Sequence, residues 1–369
     1  MNMNKAFLFA LAAVIGAAPC ANACTAIVVG KKVSPTGRVI VGHNEDDSKP
    51  EWIAHSILPA TATTLKTYWR EVKFKDGDGS ADGFYNECGV FVCSDNGGEP
   101  REKYRPEDLV EGGVQFEIRR AVGLYAKSAR DAVRIIGELV EKRGYRPGAR
   151  IYTVADKDEA WQVQLTQGFN YIAVKCPDDA VTITPNVLTV RELSAWPKDS
   201  VIMSKDLLER AKRKGWWNGK DDFDFARAYQ DEFAGERYRA SYTRDELAQW
   251  IIAGKVERDL EAGRVPFAVK PAKGVCTVDD IKRTLSAHIP GFRKGEHDAQ
   301  SNSICRSWTI ESQICELAED PFDTVLHVAV GSPCVTPYVK FRPFRGEIPP
   351  SMDRADAVDR LATHSSPVK

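Results

Sequence analysis

The sequence predicts an α+β layered fold, on three observations. Apolar residues alternate with period two in strand-like runs at both ends of the chain, and helical periodicity fills two separate blocks between them. No regular βαβ alternation and no Gly-rich phosphate loop occurs, which argues against a doubly wound nucleotide fold. The 369 residues are 43% hydrophobic and 28% charged, a balance that supports a substantial core. A formal net charge of −1 leaves no basic excess for nucleic acid or an anionic membrane, so the expected partners are small molecules or peptides.

The chain opens with Lys5, an apolar run from Ala6 to Ala18, and Ala21-Asn22-Ala23, the three parts of a secretory signal with an A-x-A cleavage site. The apolar run is shorter than the roughly 18–20 residues that span a bilayer. A lipoprotein signal would want an aliphatic residue three before the cysteine and a small one two before, where Ala21 and Asn22 stand. The expectation is therefore that residues 1–23 are removed, that no membrane is engaged afterwards, and that the protein is periplasmic or secreted.

Cleavage after Ala23 makes Cys24 the first residue, with a thiol nucleophile and a free α-amine on one unit. The amine titrates near about 7.7–8.0, so it is already partly a free base at neutral pH. Cys24 also opens an alternating run to Gly30, a strand buried on both sides. Lys31 to Gly37 reads as a turn and Arg38 to Asn44 as a returning strand, which carries His43 and its neighbours back beside Cys24.

From Asp46 to Asp82 the pattern is turn-rich, with short strand pieces at Ser56–Leu58 and Glu71–Phe74. A β-rich run from Gly83 to Ser94 ends at the break Asp95-Asn96-Gly97-Gly98. Val114–Ala126 and Ser128–Arg143 read as helices, the second capped by Ser128 and closed by Gly144. Strands follow at Ala149–Ala155, Ala160–Thr166, Tyr171–Lys175 and from Val181. Helical spacing then dominates about 204–288 as an insertion, and strands return at Ser303–Thr309, Ser312–Leu317 and Thr324–Val330. A catalytic domain over 24–347 and a tail over 348–369 complete the organisation.

Besides Cys20 and Cys24, the cysteines are Cys88, Cys93, Cys176, Cys276, Cys305, Cys315 and Cys334, with no C-x-x-C pair. That argues against a zinc site, and one or two disulfides at most are expected. His55, His288, His297, His327 and His364 have no motif around them.

Cys24-Thr25 with its apolar strand, Val29-Gly30-Lys31-Lys32, and Gly42-His43-Asn44-Glu45-Asp46 resemble the start of the bacterial dipeptidase and secernin family of N-terminal-nucleophile cysteine hydrolases. The resemblance continues through Asp82-Gly83-Phe84, Asn86 to Val90, Ala155-Asp156, Glu159-Ala160-Trp161, Pro185-Asn186 and Thr309 to Leu317. It implies a four-layer αββα sandwich and a cysteine dipeptidase that needs no metal or cofactor. It also implies that Asn96 and Asn186 lie near the oxyanion and that Asp46 holds an acidic site position. Arg306 matches the arginine that relatives place near the nucleophile. The pattern is broken at His43, where relatives usually carry arginine; an imidazole titrates and cannot reproduce a fixed guanidinium fork. Two other readings follow from the same residues: an acylase of the choloylglycine or penicillin V type, and a secreted binding protein that keeps the fold without catalysis.

Overall fold

In the computed structural model, which describes residues 24–74, 80–231, 239–258, 264–298, 302–346 and 348–352, Thr25–Val29 (β1) and Ile40–Asp46 (β2) pair antiparallel. The turn between them closes on Gly37, whose φ of 69° lies in the left-handed region that favours glycine. Residues 1–23 and the end of the tail lie outside the described residues.

The chain continues through Pro50–Leu58 (β3), Thr67–Phe74 (β4), Ser80–Asn86 (β5) and Phe91–Gly98 (β6). Glu117–Tyr125 (α1) and Ala129–Arg143 (α2) follow, then Ala149–Ala155 (β7), Ala160–Leu165 (β8), Tyr171–Lys175 (β9) and Val181–Thr184 (β10). Beyond Val201–Met203 (β11) come Leu207–Arg213 (α3), Phe225–Tyr229 (α4), Arg239–Ala253 (α5), Ala268–Val269 (β12) and Val278–Leu285 (α6). Thr309–Glu316 (β13), Val325–Val330 (β14) and Val339–Phe341 (β15) end the series.

These strands form two antiparallel sheets. One runs β12-β10-β1-β2-β13-β14-β15 and the other β11-β9-β8-β7-β6-β5-β4-β3. Period-two alternation explains how they stack. Ala26 and Val28 of β1 face a core shared with Phe91 and Cys93 of β6, while Ile27 and Val29 face outward onto Leu247 and Ile252 of α5 and Ile281 of α6. On the second sheet, Val92, Val154 and Val163 face outward onto Ile118 of α1 and Val133 and Ile136 of α2. The result is a sandwich of two sheets with helices on its outer faces. Gly42 of β2 admits α6 closely, since a Cβ there would run into the Ile281 side chain.

Several expectations change. The stretch read as turn-rich holds two long strands, β3 and β4, paired from Pro50 to Phe74. Asp95 to Gly98 is not a break but the end of β6, paired with β7. Ser303–Thr309 is not a strand; β13 starts at Thr309. Ser128 does cap α2, accepting from the Asp131 N–H at 3.0 Å, and Gly144 ends it with φ 80°. The eight described cysteines all carry free thiols, and Cys93, Cys176 and Cys315 serve as small apolar residues between the sheets. No helix among the described residues is long and apolar enough to cross a membrane.

Candidate active site

The register of β1 assembles the site. Thr25 pairs with Asn44 of β2 and Ala26 with Thr184 of β10, so one step outward Cys24 lies beside Glu45, and the β10 register carried past its end sets Asn186 opposite. Cys24 is 1% exposed. Its Sγ accepts the Asp46 backbone N–H at 3.4 Å, and its thiol reaches the Asp46 carbonyl at 3.8 Å and Glu45 Oε1 at 3.9 Å. Burial pushes the thiol well above its ordinary range; Glu45, Asp46 and Asp95 add to this, and Arg150 opposes it. The nucleophile candidate is thus a protonated thiol that needs a base.

Asp46 is held from the side by β13. Arg306 Nη2 stands 2.7 Å from Asp46 Oδ2, and the Thr309 hydroxyl donates to Oδ1. Burial still raises the carboxyl to about 6, against the pull of Arg306 and Thr309. Glu45 behaves oppositely. Burial would raise it too, but Arg119 at 2.7 Å and Arg70 at 3.3 Å outweigh burial and hold it well below the usual carboxylate range. Arg119 also binds Asp82 at 2.8 Å, and Arg70 stands 3.7 Å from Glu311, so a buried ionic network backs the site.

His43 faces the space between the sheets. Its Nε2 lies 3.7 Å from Asp95 Oδ1, and neither ring nitrogen has a hydrogen-bond partner among the described residues. Burial lowers the imidazole to about 4, so it is neutral near pH 7 and carries no charge for a thiolate. The donor atoms of Cys24, His43 and Asp95 lie within 4.8 Å of one another, a spacing that could hold a metal ion. Both Asp95 oxygens are buried without a hydrogen-bond partner among the described residues, and burial raises this carboxyl strongly.

The two asparagines come together. Asn186 Nδ2 donates to the Asn96 carbonyl at 3.3 Å, and Arg244 of α5 donates to Asn186 Oδ1 at 2.7 Å. Asn186 has φ 65°, a left-handed backbone that asparagine tolerates better than most residues. The Asn96 side chain accepts from the Gly98 N–H at 2.7 Å at the end of β6.

Arg306 touches Asp46 rather than the sulfur. The arginine whose charge acts on the Cys24 thiol is Arg150, across the ladder from Asn96, with its guanidinium on Ser94 Oγ at 3.1 and 3.2 Å. It opens an apolar strand and has no motif around it, so nothing local marked it. Glu45 carries no local sign of its role, because its partners, Arg70 and Arg119, lie on β4 and α1. His55 and His327 are engaged by carboxylates, Glu311 at 3.0 Å and Glu316 at 2.6 Å, and not by a thiol.

The sequence model of Peptidase family C69 matches residues 102–363, more than half of the chain, in a stretch that begins beyond Cys24. A probable dipeptidase of Latilactobacillus sakei is 23% identical over 359 residues, covering 87% of this chain and 74% of the relative. A probable dipeptidase B of Streptococcus pyogenes serotype M6 is 26% identical over 231 residues, covering 56% and 46%. A dipeptidase of Bifidobacterium longum is 26% identical over 322 residues, covering 73% and 59%. The chain thus spans from about half to three quarters of the length of these curated relatives.

Proposed function

The chain belongs to peptidase family C69 and is a peptidase, and from that premise we propose that it is a dipeptidase whose nucleophile is the Cys24 thiol once residues 1–23 have been removed. The observation that carries this reading is the buried Asp95 carboxyl, neither of whose oxygens has a hydrogen-bond partner among the described residues and one of which lies within 4.8 Å of the Cys24 sulfur. A freed α-amine at Cys24 would supply the missing donor. Burial disfavours its charged form and keeps it a base, while Asp95 accepts one of its N–H groups.

In this mechanism the amine takes the thiol proton as sulfur attacks the peptide carbonyl, forming a tetrahedral oxyanion. The proton then passes to the leaving amine as the C–N bond breaks. Water, deprotonated by the same amine, attacks the thioester and releases the acid with return of the thiol. Arg150 and the Asp46 N–H favour negative charge on sulfur. Arg244 fixes the Asn186 amide so that its second N–H is left for the oxyanion, with Asn96 beside it. Asp46, held by Arg306, positions the backbone that contacts the sulfur. The fold this requires is the N-terminal-nucleophile sandwich, and the supporting observation is the order of two sheets between helices.

The signal-like Lys5 to Ala23 segment supports export to the periplasm or the exterior, with cleavage by signal peptidase or by the chain itself. Free and N-acetylated dipeptides test the substrate class. A dipeptidase recognises the free α-ammonium and cleaves only the free form well; equal cleavage of both forms would favour an acylase instead.

A further inference from the structure

Four side chains, three from residues 288–305 and one from beyond β14, converge in a second cluster. They are His288, just past α6, His297 in the following loop, Cys305 immediately before Arg306, and Cys334 beyond β14. One donor atom from each lies within 4.8 Å of the other three. His297 Nε2 stands 3.7 Å from Cys305 Sγ and 3.6 Å from Cys334 Sγ. A tetrahedral ion with Zn–S near about 2.3 Å and Zn–N near about 2.0–2.1 Å has S···N edges of about 3.6 Å. These edges match an ion-sized gap.

The outer hydrogen bonding also fits. His288 Nδ1 lies 3.1 Å from the Arg293 carbonyl, a contact that puts the ring proton on Nδ1. Its Nε2, buried and without a hydrogen-bond partner among the described residues, is then a lone pair ready for a metal. Two thiolates and two imidazoles, with no carboxylate, form a donor set suited to zinc rather than to magnesium or calcium.

We propose that His288, His297, Cys305 and Cys334 bind one structural zinc ion. Binding releases the two thiol protons as two Zn–S bonds form, with no change of oxidation state. Four protein ligands fill the tetrahedron and leave no open position, so the ion braces rather than catalyses. What it braces is close to the chemistry. Cys305 precedes the Arg306 that holds Asp46, and the Arg306 carbonyl accepts from Ser332 Oγ at 2.8 Å, two residues before Cys334. Zinc would therefore lock the loop that carries Arg306 to the loop that carries Ser332 and Cys334. The scattered cysteine spacing hid this site, since zinc motifs are read from local pairs.

The test is metal analysis of the full chain purified with added zinc and dialysed against metal-free buffer. The expected result is about one zinc per chain, falling below about a tenth of that in Cys305→Ser, Cys334→Ser and His297→Ala, and unchanged in Cys24→Ala. A chelator should lower the melting temperature of the parent protein and leave that of Cys334→Ser unmoved. Cobalt loading of the unsubstituted chain should give a tetrahedral spectrum with thiolate charge transfer, which does not depend on any variant folding. No stoichiometric zinc, zinc retained in Cys305→Ser or lost in Cys24→Ala, or a Cys305–Cys334 disulfide in the purified chain would overturn the proposal.

Discussion

Arg306 and Asp46 form a 2.7 Å ion pair in which neither side chain has exposed surface. The pair joins the loop before β13 to the end of β2, one residue past Glu45, and so fixes the backbone N–H that contacts the Cys24 sulfur. Removing one member of such a pair leaves a buried charge unmatched, which typically destabilises by about 3–5 kcal/mol. Arg306→Met is expected to lose that much in urea unfolding. Asp46→Asn added to Arg306→Met should recover a large part of it, because the stranded charge is gone.

The pH dependence of stability separates two buried neighbours. Burial lowers His43 to about 4, whereas the unfolded chain binds that proton near about 6.5, so stability falls as pH drops through this window. Burial raises Asp46 to about 6 from an unfolded value near about 3.9, so its contribution falls as pH rises through an overlapping window. The two largely cancel in the parent protein. His43→Gln removes only the first, and moving from pH 7 to pH 4 should shift its stability relative to the parent by about 3 kcal/mol in its favour. A difference that does not change with pH would refute the neutral, buried assignment of His43.

At Asn186 backbone and side chain can be tested apart. Asn186→Gly keeps the left-handed φ of 65° and gives up the side-chain hydrogen bonds with Arg244 and Asn96; it should fold at a cost of about 1–3 kcal/mol and lose about 10²–10³ in kcat through the missing oxyanion donor of the proposed mechanism. Asn186→Ala should lose the same rate and a further about 1–2 kcal/mol of stability from the strained backbone. Retained kcat in Asn186→Gly would make the residue a turn former only.

Arg150 should act on the acid side of the rate profile. Its positive charge acts on Cys24 and so disfavours protonation of the adjoining α-amine, the base of the proposed mechanism; Arg150→Gln is therefore expected to move the acid limb of kcat/KM to higher pH. An unmoved limb with a raised KM would reassign Arg150 to substrate binding.

The elements legible in sequence were those built from local rules. α2 carries its cap, its apolar stripe and its closing glycine within one stretch, and β7 to β9 alternate cleanly between turns. β3 and β4 were obscured because β4 buries Arg70 where a core strand would show an apolar residue; the compensating Glu45, Asp82 and Glu311 come from other strands. Asp95 and Asn96 read as a turn for the same reason, since a strand end beside a polar site looks like a loop. Cys24 and Asp46 stand out in sequence through their motif, and the fold sets the Asp46 N–H 3.4 Å from the Cys24 sulfur, whereas Arg150 and Cys334 reach their neighbours only through long-range packing.

In the proposed mechanism Cys24 acts as an N-terminal nucleophile, and the intact mass of the active, purified enzyme is the sharpest test of that role. Dipeptide-cleaving protein is expected to begin at an unmodified Cys24 and to gain one acyl group there with a slow substrate. Full activity in a chain that still carries Ala23, or a lipid on Cys24 of the active form, would contradict it.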